Sequence, residues 1–81
     1  MAVQEEIIGY LKKVNPTIIE RAPEPETLKL RRVLDSLDMM EFLSHLESSY
    51  AMKISDQDVL SKNFETIGSV IDFVTERNGD S

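Results

Sequence analysis

The chain has no cysteine and no tryptophan, a single histidine, and only three glycines and three prolines in 81 residues. Without cysteine, neither a disulfide nor a thiolate metal ligand is available. Basic charge is also scarce: nine Lys and Arg stand against fifteen Asp and Glu, for a net charge of −6. Phosphate contacts need Lys and Arg to displace counterions, so the balance argues against a nucleic-acid partner. No apolar run approaches membrane-spanning length. The opening Met1-Ala2-Val3-Gln4-Glu5-Glu6 has no basic segment leading into an apolar one. These absences predict a cytoplasmic protein without membrane insertion.

The hydrophobic fraction of 41% is enough for a core. A chain this short buries only about 60% of its unfolded surface, so its stability is modest. The reading is one monomeric domain, residues 1–81, with an ordered core over about 3–77. A folded acidic domain suits partners with basic surfaces, found quickly by electrostatic steering.

Helical periodicity dominates. Val3, Ile7, Ile8, Leu11 and Val14 make one stripe, and Pro16 closes it by pushing Asn15 out of the α region, giving a helix over 3–14. Residues 15–34 hold all three prolines and read as a long ordered loop pinned by Ile18, Ile19, Leu28, Leu30 and Val33. A second helix is expected over 36–50. Asp35 is its N-cap, and Asp38 three residues on resembles a capping box. Phe42, Leu46, Met39, Tyr50 and Leu43 fall within one arc of about 100°, the core stripe. Leu37 and Met40 fall outside it. Ser55-Asp56-Gln57-Asp58 signals a short third helix carrying Val59 and Leu60. A fourth starts at Thr66, with Ile67, Val70, Ile71 and Val74 as its stripe and Asn78-Gly79 at its end. The expected fold is all-α: a small four-helix bundle with a long first loop and a short third helix.

Ser36 is the residue of most chemical interest. Asp35 already fills the cap, so Ser36 is left free at the first helical position. Two apolar side chains, Leu37 and Met40, lie beside it with no role in the core. No Lys or Arg occurs between Val33 and Met52, whereas Asp35, Asp38, Glu41 and Glu47 do. This combination describes a site that another protein modifies. A self-activated nucleophile is excluded, because His45 falls on the solvent side of the helix, away from Ser36, with no third group to orient it. Asp56 and Asp58 read as caps, since no calcium-loop spacing follows. Lys29, Arg31 and Arg32 form the only basic cluster, either a solvated loop face or a partner contact.

Asp35-Ser36-Leu37-Asp38-x-x-Glu41, followed by Leu43, Leu46-Glu47 and Tyr50, resembles the acyl carrier protein family with its aminoacyl and peptidyl relatives. The likeness extends to the first helix, to the short helix after Ile54 and to Phe64-Glu65-Thr66-Ile67. It implies a stand-alone carrier, not an enzyme. Ser36 would be esterified with 4′-phosphopantetheine from coenzyme A by a phosphopantetheinyl transferase, with Asp35 in support. The arm's thiol would hold an acyl group as a thioester and present it to acyl- or aminoacyl-loading and downstream biosynthetic enzymes, as in fatty acid or polyketide synthesis. Leu37, Asp38, Met40, Glu41 and Glu47 would meet those partners. An aminoacyl, D-alanyl or peptidyl carrier is the alternative within the family, and an unmodified acidic helical adaptor is the alternative outside it. The chain departs from the family pattern where a Leu-Gly pair is usual, since Arg32 and Val33 stand there. Arg31 and Arg32 bring positive charge where acid is common, and Ser44 replaces a larger apolar contact.

Overall fold

The computed structural model describes residues 3–79, all-α among those residues. Helix α1 (Val3–Val14) has Glu5 and Glu6 in its first turn and Lys12 and Lys13 in its last, matching the helix dipole at both ends. It buries Ile7 and Leu11. Pro16 does end α1, but it also begins α2 (Pro16–Arg21). A proline's missing N–H costs nothing at the first helical position, and its fixed φ suits the helix. Ile19 is the buried residue of α2. The segment read as a loop is therefore partly helical. After α2 come a 3-10 turn at Pro25–Thr27 and the four-residue α3 (Leu30–Val33), which buries Leu30 and Val33. Both added helices are single turns or little more, too short for periodicity to reveal.

The expected helices follow. Helix α4 spans Ser36–Tyr50, α5 spans Asp56–Leu60, and α6 runs Ile67–Gly79 to the end of the described residues. Phe42 and Leu46 of α4 meet Ile7, Leu11, Leu30, Ile67, Val70 and Val74 in the core. The stripe of α6 differs in one place: Ile71 is only half-buried, while Phe73 is buried and packs edge-on against Phe64 at 5.3 Å between ring centres. The Arg77 guanidinium lies over the Phe73 ring, 4.8 Å from its centre.

One backbone pairing fixes the approach to α4. Lys29 and Thr66 form an isolated antiparallel bridge. Leu30 N–H donates to Glu65 O at 3.0 Å, and Ile67 N–H donates to Leu28 O at 3.0 Å. The segment before Ser36 is thereby tied to the start of α6.

Helix α4 ends on Ala51 in the left-handed region, φ 51° and ψ 48°, with its N–H bonded to Glu47 O. A side chain with a Cβ is strained there, and glycine is not. Ala51→Gly is therefore expected to stabilise the domain by about 0.5–1 kcal/mol, after allowance for glycine's greater freedom when unfolded. In a domain of this size that corresponds to a Tm rise of about 2–8 °C in a thermal melt.

Candidate functional site

The N-terminus of α4 is built around Asp35. Its backbone is extended, and its Oδ1 accepts the Asp38 N–H at 2.8 Å. The reciprocal bond that would complete a capping box is made in α5 instead, where Ser55 N–H donates to Asp58 Oδ2 at 3.0 Å and Asp58 N–H to Ser55 Oγ at 3.1 Å. With Asp35 as cap, Ser36 is exposed at the first helical position.

Leu37 and Met40 are each 66% exposed, and Leu60 across the way on α5 is 76% exposed. Met40 and Leu60 line an open groove of about 740 Å³ that reaches Ser36 itself, and Leu37 lies outside it. Met39, Met40 and Leu43 of α4 form one wall and Val59 and Leu60 of α5 the other, with Leu34 and Phe64 at the base. Met39 thus faces both core and groove, a double role that helical angle alone does not reveal.

The carboxylates divide. Glu41 is exposed, and Asp38 is half-buried with its N–H tied into the cap. Glu47 is bonded through Oε2 to the Ile54 N–H at 2.8 Å, bracing the turn between α4 and α5. Structure therefore gathers Asp35, Ser36 and Met40 at one groove, with Leu37 and Glu41 exposed on the same helix, and gives Glu47 a bracing bond of its own three turns along.

His45 is remote from Ser36, as expected, but it is half-buried rather than a free surface residue. Its ring stacks on Tyr10 of α1 at 4.5 Å between ring centres, and its Nε2 lies 3.9 Å from Glu6 Oε2. Burial pushes the Tyr10 hydroxyl pKa up, and the charges of Glu41 and Asp38 add to the effect. Beside this pair, Tyr50 Oη donates to Glu6 Oε1 at 2.7 Å. Burial first, then the Glu6 hydrogen bond and charge, raise the Tyr50 pKa to about 12. A raised pKa favours the neutral phenol of the folded state. Its stabilisation is full below the ordinary value near 10 and disappears as pH climbs through about 12. Tyr50→Phe is expected to cost about 0.5–1.5 kcal/mol at pH 7. The same variant should flatten the fall in denaturant midpoint between pH 10 and pH 12, the window set by the Tyr50 shift. Tyr10 and Glu6 carried no sequence signal of this cluster, because the pairing joins residues up to 44 apart.

The chain is 31% identical over 78 residues to the "acyl carrier protein homolog" of Mycoplasmopsis pulmonis, covering 96% of this chain and 99% of that one. The chain belongs to the acyl carrier protein family. The acyl carrier protein of Borrelia garinii subsp. bavariensis is 29% identical over 79 residues, covering 93% of this chain and 96% of its own. That of Clostridium perfringens is 40% identical over 42 residues, covering 52% of this chain and about half (53%) of the relative's length. No protein-family model matches the chain, and no solved structure matches it significantly. The family consists of carriers rather than enzymes. Among the described residues no helix is long and apolar enough to cross a membrane.

Proposed function

We propose that this chain is an acyl carrier whose Ser36 bears 4′-phosphopantetheine. One observation supports this most: an exposed serine, relieved of capping by Asp35, opens onto an apolar groove. The residues present suit the group. Among the described residues the Ser36 hydroxyl makes no hydrogen bond that modification would break, and Asp35 holds the turn that presents it. The arm would supply a thiol, which a chain without cysteine lacks, and with it a thioester link to cargo.

Ser36 has no general base of its own, since His45 is stacked on Tyr10 and paired with Glu6. A separate phosphopantetheinyl transferase must therefore remove the proton. Leu37 and Met40 would be the apolar contacts for that enzyme and for the loading and downstream enzymes. Asp35, Asp38 and Glu41 would supply the charge that steers them in. Glu47, held to Ile54, would add charge further along. The apolar groove favours an acyl cargo over an aminoacyl one. The test is intact-mass measurement after incubation with coenzyme A and a transferase. A gain equal to one phosphopantetheine, mapped to Ser36 by fragmentation, is the expected result. No gain would leave an acidic adaptor as the better reading.

A further inference from the structure

The exposed cations near Ser36 come from two segments that the backbone ties together. Lys29 and Arg31 stand at the start of α3 and within it, where Leu30 and Val33 are buried. Lys62 opens a 3-10 turn over Lys62–Phe64, anchored by the buried Phe64. The Lys29–Thr66 bridge and the Leu30 N–H bond to Glu65 O at 3.0 Å join the two segments. Lys29, Arg31 and Lys62 consequently line one concavity of about 280 Å³. All three are exposed, as is neighbouring Arg32. None of the four forms an ion pair among the described residues, where ion pairs join Lys12 to Glu20, His45 to Glu6 and Arg77 to Asp58. Glu65 lines the same concavity and is paired with none of them. In a chain with fifteen acids against nine bases, unpaired cations gathered this closely are a charge surplus open to something outside the molecule.

The sign of the charge reverses across Leu60. This side chain, 76% exposed, borders both the basic concavity and the groove at Ser36, whose acids are Asp35 and Asp56. The surface around Ser36 therefore runs from acid through apolar to base. Resting on the carrier reading above, we propose that this surface docks an enzyme whose own face carries the opposite order. That face would set Lys or Arg against Asp35 and Asp56, an apolar contact against Leu60, and a cluster of Asp and Glu against Lys29, Arg31 and Lys62. A one-signed patch draws a partner in but leaves it free to turn about Ser36. Two blocks of opposite sign fix that rotation and reject a partner face that is basic throughout. Buried neighbours already hold the backbone under the cations, so docking orders their side chains alone. A phospholipid surface or a nucleic acid fits less well, because its uniform negative charge would also meet Asp35 and Asp56. A second copy fits less well because each copy brings a net charge of −6.

The probe is a short synthetic peptide with a glutamate block, a leucine and a lysine block, carrying a nitroxide at one end or the other. It is added to the full chain at low salt and followed by amide NMR. The label at the glutamate end is expected to broaden the amides of Lys29 and Lys62 most, and the label at the lysine end those of Asp35 and Asp56. Lys29→Glu with Lys62→Glu should weaken peptide binding about three- to tenfold, within the range that two exposed ion pairs support, without moving the melting temperature. The same variant should bind an all-lysine peptide more tightly than the unaltered chain does. Salt at about 1 M, where screening length falls to about 3 Å, should remove the preferred orientation. Equal broadening from the two labels would overturn the inference, as would a charge reversal that leaves the affinity unchanged. Phosphatidylglycerol vesicles that shift Lys29, Arg31 and Lys62 where the peptide shifts nothing would overturn it in favour of a membrane surface. Shifts at these residues on raising the chain concentration alone would overturn it in favour of a second copy. Each of these results leaves the carrier reading intact, because intact mass after transferase treatment tests that separately. Failure of the unaltered chain to gain one phosphopantetheine would overturn the carrier reading, and with it the identity of the partner as an enzyme working at Ser36.

Discussion

Ser36→Ala is expected to abolish phosphopantetheine attachment completely while leaving the fold untouched. Only a hydroxyl can form the phosphodiester, and alanine has none. The stability half of the expectation follows from Asp35. Its Oδ1, not the serine, accepts the Asp38 N–H at 2.8 Å, and alanine is a better helix former than serine at an exposed position. The thermal midpoint should therefore be unchanged or slightly higher. Asp35→Ala is the matched control, expected to lose about 1 kcal/mol with the cap. Intact mass after transferase treatment and a thermal melt together decide the matter. A Ser36→Ala protein that still gains the phosphopantetheine mass would refute the assignment.

The paired truncation Leu37→Ala with Met40→Ala should separate docking from folding. Both side chains are 66% exposed, so removing them leaves no cavity, and the loss of stability should stay within about 0.5 kcal/mol. Leu46→Ala, at a fully buried position of the same helix, should instead cost about 2–5 kcal/mol. If the exposed pair anchors partner enzymes, its loss should lower kcat/KM for transferase modification by about tenfold or more, the effect of losing an apolar anchor worth at least 1–2 kcal/mol. A sharp drop in Tm with unaltered modification kinetics would mean that the pair belongs to the core after all.

The long-period elements were legible in the sequence because their signals are redundant. In α4, cap, first-turn acid and apolar arc all agree, and its bounds of Ser36–Tyr50 match the expected ones. The exposure of Leu37 and Met40 followed from angle alone. What stayed hidden depends on contacts between distant segments. Helices α2 and α3 are six and four residues long, below the length at which a stripe can repeat. Phe73 joins the core because Phe64 offers its ring, and His45 loses solvent because Tyr10 lies over it. The groove beside Ser36 was equally invisible, since its two walls are contributed by α4 and α5.

The bridge between Lys29 and Thr66 gives the segment leading into Ser36 a longer lifetime than α5, which forms one wall of that groove. In that segment, Leu30 is fully buried, its amide is bonded to Glu65, and the neighbouring strand-like pair extends to Ile67. By contrast, α5 is five residues long and contributes no buried side chain. Segments with few buried contacts open locally at little free-energy cost, whereas core-linked amides exchange only when the whole domain unfolds. Amide hydrogen exchange should therefore separate the two: Leu30 and Ile67 slowest, Val59 and Leu60 among the fastest helical amides. A cargo of changing length would then be accommodated by movement of α5, while the backbone leading into Ser36 keeps its register against α6.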